Sequence, residues 1–131
     1  MLHRFDLRVY YEDTDLAGIV YYANYLKFIE RGRSEWVRER GVDQVALQRD
    51  LGLVFAVRRI EADFLRPARF DDQLTVVTEC KAIGGARIDL RQQVVRREAA
   101  LFTALVTLVC MSTDGRASRV PAAVRAAINC D

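Results

Sequence analysis

Histidine is almost missing from this chain. The single one, His3, stands beside the terminus of a 131-residue sequence. A Ser-His-Asp or Cys-His mechanism would have to run through it, which sets that chemistry aside. Cysteine is sparse too. Cys80, Cys110 and Cys130 form no Cys-x-x-Cys spacing, and with one histidine they make no zinc-ligand pattern. No metal is expected, and the three are read as free thiols packing like small apolar residues. There is no Gly-x-Gly-x-x-Gly and no phosphate-binding Gly-Lys-Ser/Thr loop. No run of about 18 apolar residues occurs, so stable membrane insertion is not expected. The opening Met-Leu-His-Arg-Phe-Asp lacks the apolar centre of a signal peptide, and the default compartment is the cytoplasm. Net charge is only +2, too little to argue for nucleic acid, although twenty Lys and Arg remain for a local anion site.

What is present fits one globular domain over residues 1–131, with 51% hydrophobic residues to build a core. There are no repeats, low-complexity tracts or linkers. Residues 3–11 alternate, with Phe5, Leu7, Val9 and Tyr11 against Asp6, Arg8 and Tyr10, which predicts a strand. Residues 22–40 change to helical spacing. Tyr22, Tyr25, Leu26, Ile29, Trp36 and Val37 make the apolar stripe of a helix of about five turns. Gly32 lies in that stripe and would cost about 1 kcal/mol relative to alanine, so a close approach to a sheet is predicted there. Gly41 is the expected stop, and residues 42–50 a short second helix or turn. Strands are predicted over 54–65, 73–81, 87–97 and 101–111. The first carries a bulge at Arg58-Arg59, where the alternation slips. Gly84-Gly85 makes a hairpin turn. The last strand is apolar on both faces, so it is central or meets another subunit. A terminal helix over 121–128 starts at Pro121.

The stretch around which these elements are arranged is residues 10–25, an acidic turn between the first strand and the long helix. A carboxylate just ahead of a helix has two uses. It can cap the helix or stabilise the turn. It can also face a ligand bound by the free N–H groups of the helix start. In the second case Asp15 would attack a carbonyl carbon, or activate water to do so, while those N–H groups stabilise the oxyanion. Composition and spacing leave both uses open.

The run Tyr11-Glu12-Asp13-Thr14-Asp15-Leu16-Ala17-Gly18-Ile19-Val20-Tyr21-Tyr22-Ala23-Asn24-Tyr25 resembles the active-site segment of hotdog-fold acyl-CoA thioesterases of the 4-hydroxybenzoyl-CoA thioesterase family. The continuation over 26–36 and the later segment over 55–72 are similar to the branch associated with the bacterial Tol-Pal envelope system. The resemblance implies an α+β hotdog domain, a long helix wrapped by a curved antiparallel sheet of about five strands. It implies hydrolysis of an acyl-CoA thioester, with coenzyme A entering as part of the substrate and no separate cofactor. Asp15 matches the essential carboxylate, nucleophile or general base. The backbone N–H of Tyr22 matches the group that polarises the thioester carbonyl, and Tyr11 a tyrosine that assists in some members. Many members of the Tol-Pal branch have histidine where this chain has Tyr22, which removes any imidazole role. Arg87, Lys81, Arg58 and Arg59 are candidates for the CoA phosphates. Phe55 and Val57 are candidates for the acyl pocket, and Asn24 for orienting the site. Glu30 and Glu35 rank below Asp15 as alternative carboxylates. The resemblance also implies edge-to-edge homodimers that assemble into a homotetramer, with the site at the subunit interface. The rival readings are a hotdog module that binds acyl-CoA or an envelope partner without turnover, and a thioesterase acting on acyl carrier protein.

Overall fold

The computed structural model describes residues 2–130. Among these residues the order is β1 (Leu2–Arg8), α1 (Asn24–Glu39), α2 (Gln44–Leu51), β2 (Leu53–Phe64), β3 (Gln73–Ile83), β4 (Arg87–Arg96), β5 (Ala99–Ser112) and α3 (Ala122–Ile128). The strands form one antiparallel sheet in the order β1-β3-β4-β5-β2. Helix α1 lies across one face of it. That is the hotdog arrangement implied by the resemblance. No helix of the described residues is long and apolar enough to cross a membrane.

The alternation of the strands explains which face α1 covers. Leu74 and Val76 on β3, Ile88, Leu90 and Val94 on β4, and Phe102, Val106 and Leu108 on β5 are buried together with the α1 residues. The bulge in β2 falls between Val57 and Arg59, as the slipped alternation predicts. It keeps Phe55 and Val57 on the same face as Ile60, Ala62 and Phe64 by absorbing one residue.

Helix α1 buries Tyr25, Phe28, Ile29, Gly32, Trp36 and Val37. The predicted stripe is wrong at two positions. Tyr22 is 62% exposed and Leu26 41% exposed, while Phe28 takes a core place. Tyr22 precedes the helix, so helical spacing does not govern it. Leu26 sits one residue, or about 100°, away from Tyr25 and so rotates off the buried stripe. Gly32 does permit a close approach. A Cβ there would lie 3.0 Å from Val76 Cβ and closer still to one of its methyl groups. Beside it, the fully buried Gln92 donates from Nε2 to the Ile29 carbonyl at 2.8 Å and to Thr78 Oγ1 at 2.9 Å.

Two further expectations are corrected. Strand β1 ends at Arg8 and the chain turns through a 3-10 turn at Tyr11–Asp13, so Tyr11 is 81% exposed rather than on a buried strand face. Cys80 and Cys130 are joined in a disulfide, with their Cα atoms 4.9 Å apart, and are not free thiols. Helix α3 returns to the β3–β4 turn, where Arg125 Nη2 donates to the Gly84 carbonyl at 2.8 Å. Ile128 enters the core, and the chain beyond it meets β3. Cys110 is free and buried, as expected.

The contact at Gly32 yields a stability prediction. Alanine gains about 1 kcal/mol of helix propensity, but overpacking against Val76 costs about 1–3 kcal/mol. Urea unfolding of Gly32→Ala should therefore show a net loss of stability. A gain would contradict the close seating of α1.

Candidate active site

The acidic turn is a miniature hairpin. Thr14 and Val20 pair as an antiparallel bridge. The Asp15 N–H donates to the Ile19 carbonyl and the Gly18 N–H to the Asp15 carbonyl, each at 2.9 Å. Gly18 closes the turn at φ +81°, where a side chain would be strained. Asp15 Oδ1 accepts the Ala17 N–H at 2.9 Å, so the turn-stabilising use is realised on one oxygen. Among the described residues its Oδ2 has no hydrogen-bond partner. Asp13 serves the preceding 3-10 turn, accepting the Tyr10 N–H on Oδ2 at 2.8 Å.

Residues 68–72 hold this hairpin from below. The Val20 N–H donates to the Ala68 carbonyl at 2.8 Å, and Ile19 bridges Arg69. The Ala68 N–H donates in turn to the buried Tyr25 hydroxyl at 3.0 Å, tying the segment to α1. Burial raises the Tyr25 phenol above its ordinary value despite that N–H. Asp72 Oδ2 accepts the Arg69 N–H at 2.8 Å and pairs with Arg96 Nη1 at 2.7 Å. Burial alone would push the Asp72 carboxyl up. The Arg69 N–H and the Arg96 guanidinium outweigh it and hold the carboxyl below its ordinary 3.8.

On the other side is the start of α1. The Asp13 carbonyl accepts both the Tyr21 N–H and Asn24 Nδ2, each at 2.9 Å. Asn24 thus clamps the turn to the helix. Ala23, at the N-cap, offers no side-chain bond. Among the described residues no acceptor takes the backbone N–H of Tyr22 or of Ala23. These are the unsatisfied donors at the electropositive end of a 16-residue helix. The Tyr21 phenol is raised, first by its neighbour Tyr22 and in smaller part by the negative charge of Asp15. Tyr22 packs edge-on to Phe64 with ring centroids 6.1 Å apart, and Tyr11 edge-on to Phe70 at 6.4 Å.

Asp15, Tyr22, Tyr11 and Asn24 therefore gather around one turn. Within one chain that turn is open: Asp15 is exposed, as are the apolar Leu16, Phe64, Leu65 and Phe70 beside it. The predicted substrate residues divide between the two sheet faces. Phe55 and Val57 line a cavity of about 240 Å³ between α1 and the sheet. Arg59, Lys81 and Arg87 border a shallow depression of about 400 Å³ on the opposite face. There each has an acidic neighbour: Arg59 pairs with Glu61, Lys81 with Glu79 at 3.7 Å and Arg87 with Asp89 at 3.4 Å. Arg58 is exposed at the β2 bulge. The alternative carboxylates are engaged along the helix, Glu30 by Ser34 at 2.6 Å and Glu35 by Arg38. Sequence reasoning missed the chain of Thr78, Gln92 and Arg33, in which Arg33 Nη1 donates to Gln92 Oε1 at 2.9 Å. The signal was there: Gln92 interrupts the apolar phase of Ile88, Leu90 and Val94.

Residues 9–128 match the family model described as the thioesterase-like superfamily. The chain belongs to that family. This thioesterase is 40% identical over 107 residues to the acyl-CoA thioesterase YbgC of Haemophilus influenzae, covering 82% of this chain and 79% of that one. It is 40% identical over 111 residues to the acyl-CoA thioester hydrolase YbgC of Escherichia coli O157:H7, covering 84% and 82% of the two. Its fold superposes on the crystal structure of a probable thioesterase from Bartonella henselae with a TM-score of 0.89 at 40% identity, over 92% of this chain and all of that one.

The depressed Asp72 carboxyl predicts how the thioesterase responds to acid. A lowered folded-state value adds stability that is complete above the unfolded value and lost as the pH falls through the folded one. Melting temperatures of wild type and Asp72→Asn should differ above the ordinary value of 3.8 and converge below it. A difference that persists unchanged at lower pH would show that Asp72 acts by packing and not by charge.

Proposed function

We propose that this thioesterase hydrolyses acyl-CoA esters to the free acid and coenzyme A, with Asp15 as nucleophile or general base and the Tyr22 backbone N–H polarising the thioester carbonyl. The observation that carries the reading is the pair of unaccepted N–H groups at Tyr22 and Ala23, beside a turn whose carboxylate keeps one oxygen uncommitted. As general base, Asp15 takes a proton from water while the water oxygen attacks the carbonyl carbon. The carbon–sulfur bond then breaks, and the CoA thiolate recovers the proton. As nucleophile, the carboxylate attacks the carbonyl carbon and expels the CoA thiolate, leaving an acyl anhydride. Water then opens it to the free acid and the regenerated carboxylate, and the released proton passes to the thiolate. In both routes the negative charge that builds on the carbonyl oxygen points at the helix start, where fixed donors stabilise it without reorganisation. Tyr11 stands at the rim of the same turn. The names of the relatives support a CoA ester as substrate.

The open turn is completed, in this reading, by a second copy. Strand β2 is the last in the sheet order, so one side of its 12 residues is unpaired. A free edge of that length invites pairing. Antiparallel pairing of two β2 strands brings the Phe64 end of one, which touches Tyr22, toward the Phe55 and Val57 end of the other. The acyl cavity then adjoins the carboxylate of the neighbouring copy. Dimers assembling further to a homotetramer would cover the exposed apolar residues of β5, including Leu105. Arg87, Lys81, Arg59 and Arg58 are the cations available to the CoA phosphates, and Asn24 keeps the turn on the helix. A cytoplasmic location suits this substrate.

The bond from Ala17 to Asp15 equally suits a binding module without turnover, in which the carboxylate only shapes the turn. The two readings separate on one substitution. With a panel of short, long and aromatic acyl-CoAs, Asp15→Asn should retain the fold and lower kcat by about 10²-fold or more. A rate equal to wild type would remove Asp15 from the chemistry. Binding by wild type with no hydrolysis of any ester would favour the module.

A further inference from the structure

The cavity between α1 and the sheet is apolar on one side only. Phe55 and Val57 of β2, Ile88 of β4 and Leu108 of β5 form its hydrocarbon wall, and Glu30, Arg33, Ser34 and Trp36 of α1 stand on the other, with Gln44 of α2. Arg33 carries five N–H donors. Among the described residues it makes one hydrogen bond, to Gln92 Oε1 at 2.9 Å, and no ion pair. Gln92 is fully buried and its amide nitrogen is committed to Ile29 and Thr78, so its oxygen holds the guanidinium in place. Burial lowers the Arg33 guanidinium from its ordinary value, and Glu30 offsets only part of that. The Glu30 carboxylate is itself occupied by Ser34. Trp36 is 1% exposed, and its indole Nε1–H has no acceptor.

A guanidinium with unmet donors therefore borders a cavity whose sheet-side wall is hydrocarbon, and the one carboxylate in the lining, Glu30, is taken by Ser34. Buried polar groups are ordinarily satisfied, and a half-buried cation that makes no ion pair can take an anion. A plain alkyl chain filling this space would leave the remaining guanidinium donors unmet. A chain ending in a carboxylate would satisfy them. We propose that this cavity selects acyl groups with a negatively charged far end, the monothioesters of dicarboxylic acids, with Arg33 binding the terminal carboxylate. The proposal rests on the thioesterase reading above and adds the acyl class.

The test compares esters of equal carbon number: succinyl- against butyryl-CoA, and glutaryl- against valeryl-CoA. Wild type should prefer the carboxylated ester by at least about tenfold in kcat/KM for one pair. Arg33→Met should lower kcat/KM for the carboxylated ester at least tenfold more than for its plain partner, and Arg33→Lys should restore part of the difference. No preference in wild type, or a preference that survives Arg33→Met, overturns the proposal. Trp36 is the single tryptophan of the chain, so its fluorescence reads the cavity without turnover. Glutaryl-CoA added to Asp15→Asn should change that emission, with free coenzyme A and valeryl-CoA as controls. This arm still decides if no ester is hydrolysed: a change specific to glutaryl-CoA upholds the cavity when the catalytic reading fails, and equal responses to all three overturn it.

Discussion

The seating of α1 on the sheet at Gly32 fixes the rest of this structure. Ile29 and Trp36 flank that point and are almost completely buried, facing a Val76 that is also inaccessible. Each such side chain contributes roughly 1.5–3 kcal/mol by leaving water, and the missing Cβ lets the helix come down far enough to collect that contribution. Gln92 then fixes the helix against sliding, because its amide holds the Ile29 carbonyl from the sheet side. A 16-residue helix is a rigid rod of about 24 Å. Once its middle is fixed, so is the position of its first N–H groups.

The acidic turn reaches that helix start by an independent route. It hangs from residues 68–72 through Val20 and Ile19, and that segment is held by Tyr25 and by the Asp72–Arg96 pair. Asn24 joins the two supports by holding the Asp13 carbonyl. Asp15 and the open donors are thus brought together by parts of the chain nearly fifty residues apart, without either being enclosed. The side chains around the turn, Leu16, Phe64, Leu65 and Phe70, and one edge of β2 are left open in the single chain.

Much of this could be read from the residues because the signals are local. The helix, the stop at Gly41, the bulge at Arg58-Arg59 and the close approach at Gly32 each depend on a few neighbouring positions. The α1 stripe failed at Tyr22 because helical spacing was extended past the point where the helix begins, and at Leu26 because one residue of phase moves a side chain out of the core. What the residues did not reveal is pairing across the chain. Nothing in the spacing of Cys80 and Cys130 says that α3 folds back to β3. The pairs Arg59–Glu61, Lys81–Glu79 and Arg87–Asp89 are local by contrast, each two residues apart on one strand. Gln92 was visible as a polar residue in an apolar phase, but its partners Thr78, Ile29 and Arg33 come from two other elements. The proposed site was legible as a motif and a resemblance; its support and the cavity between α1 and the sheet required the fold.

The central claim is that the N–H groups opening α1 receive the thioester oxygen. Amide NMR of the ¹⁵N-labelled protein, titrated with an uncleavable CoA analogue in which a ketone replaces the thioester, tests it directly. The account predicts that the Tyr22 and Ala23 amide protons move downfield on binding, as expected of donors that gain an acceptor. Saturable binding that leaves both resonances where they are, while amides elsewhere shift, would contradict it.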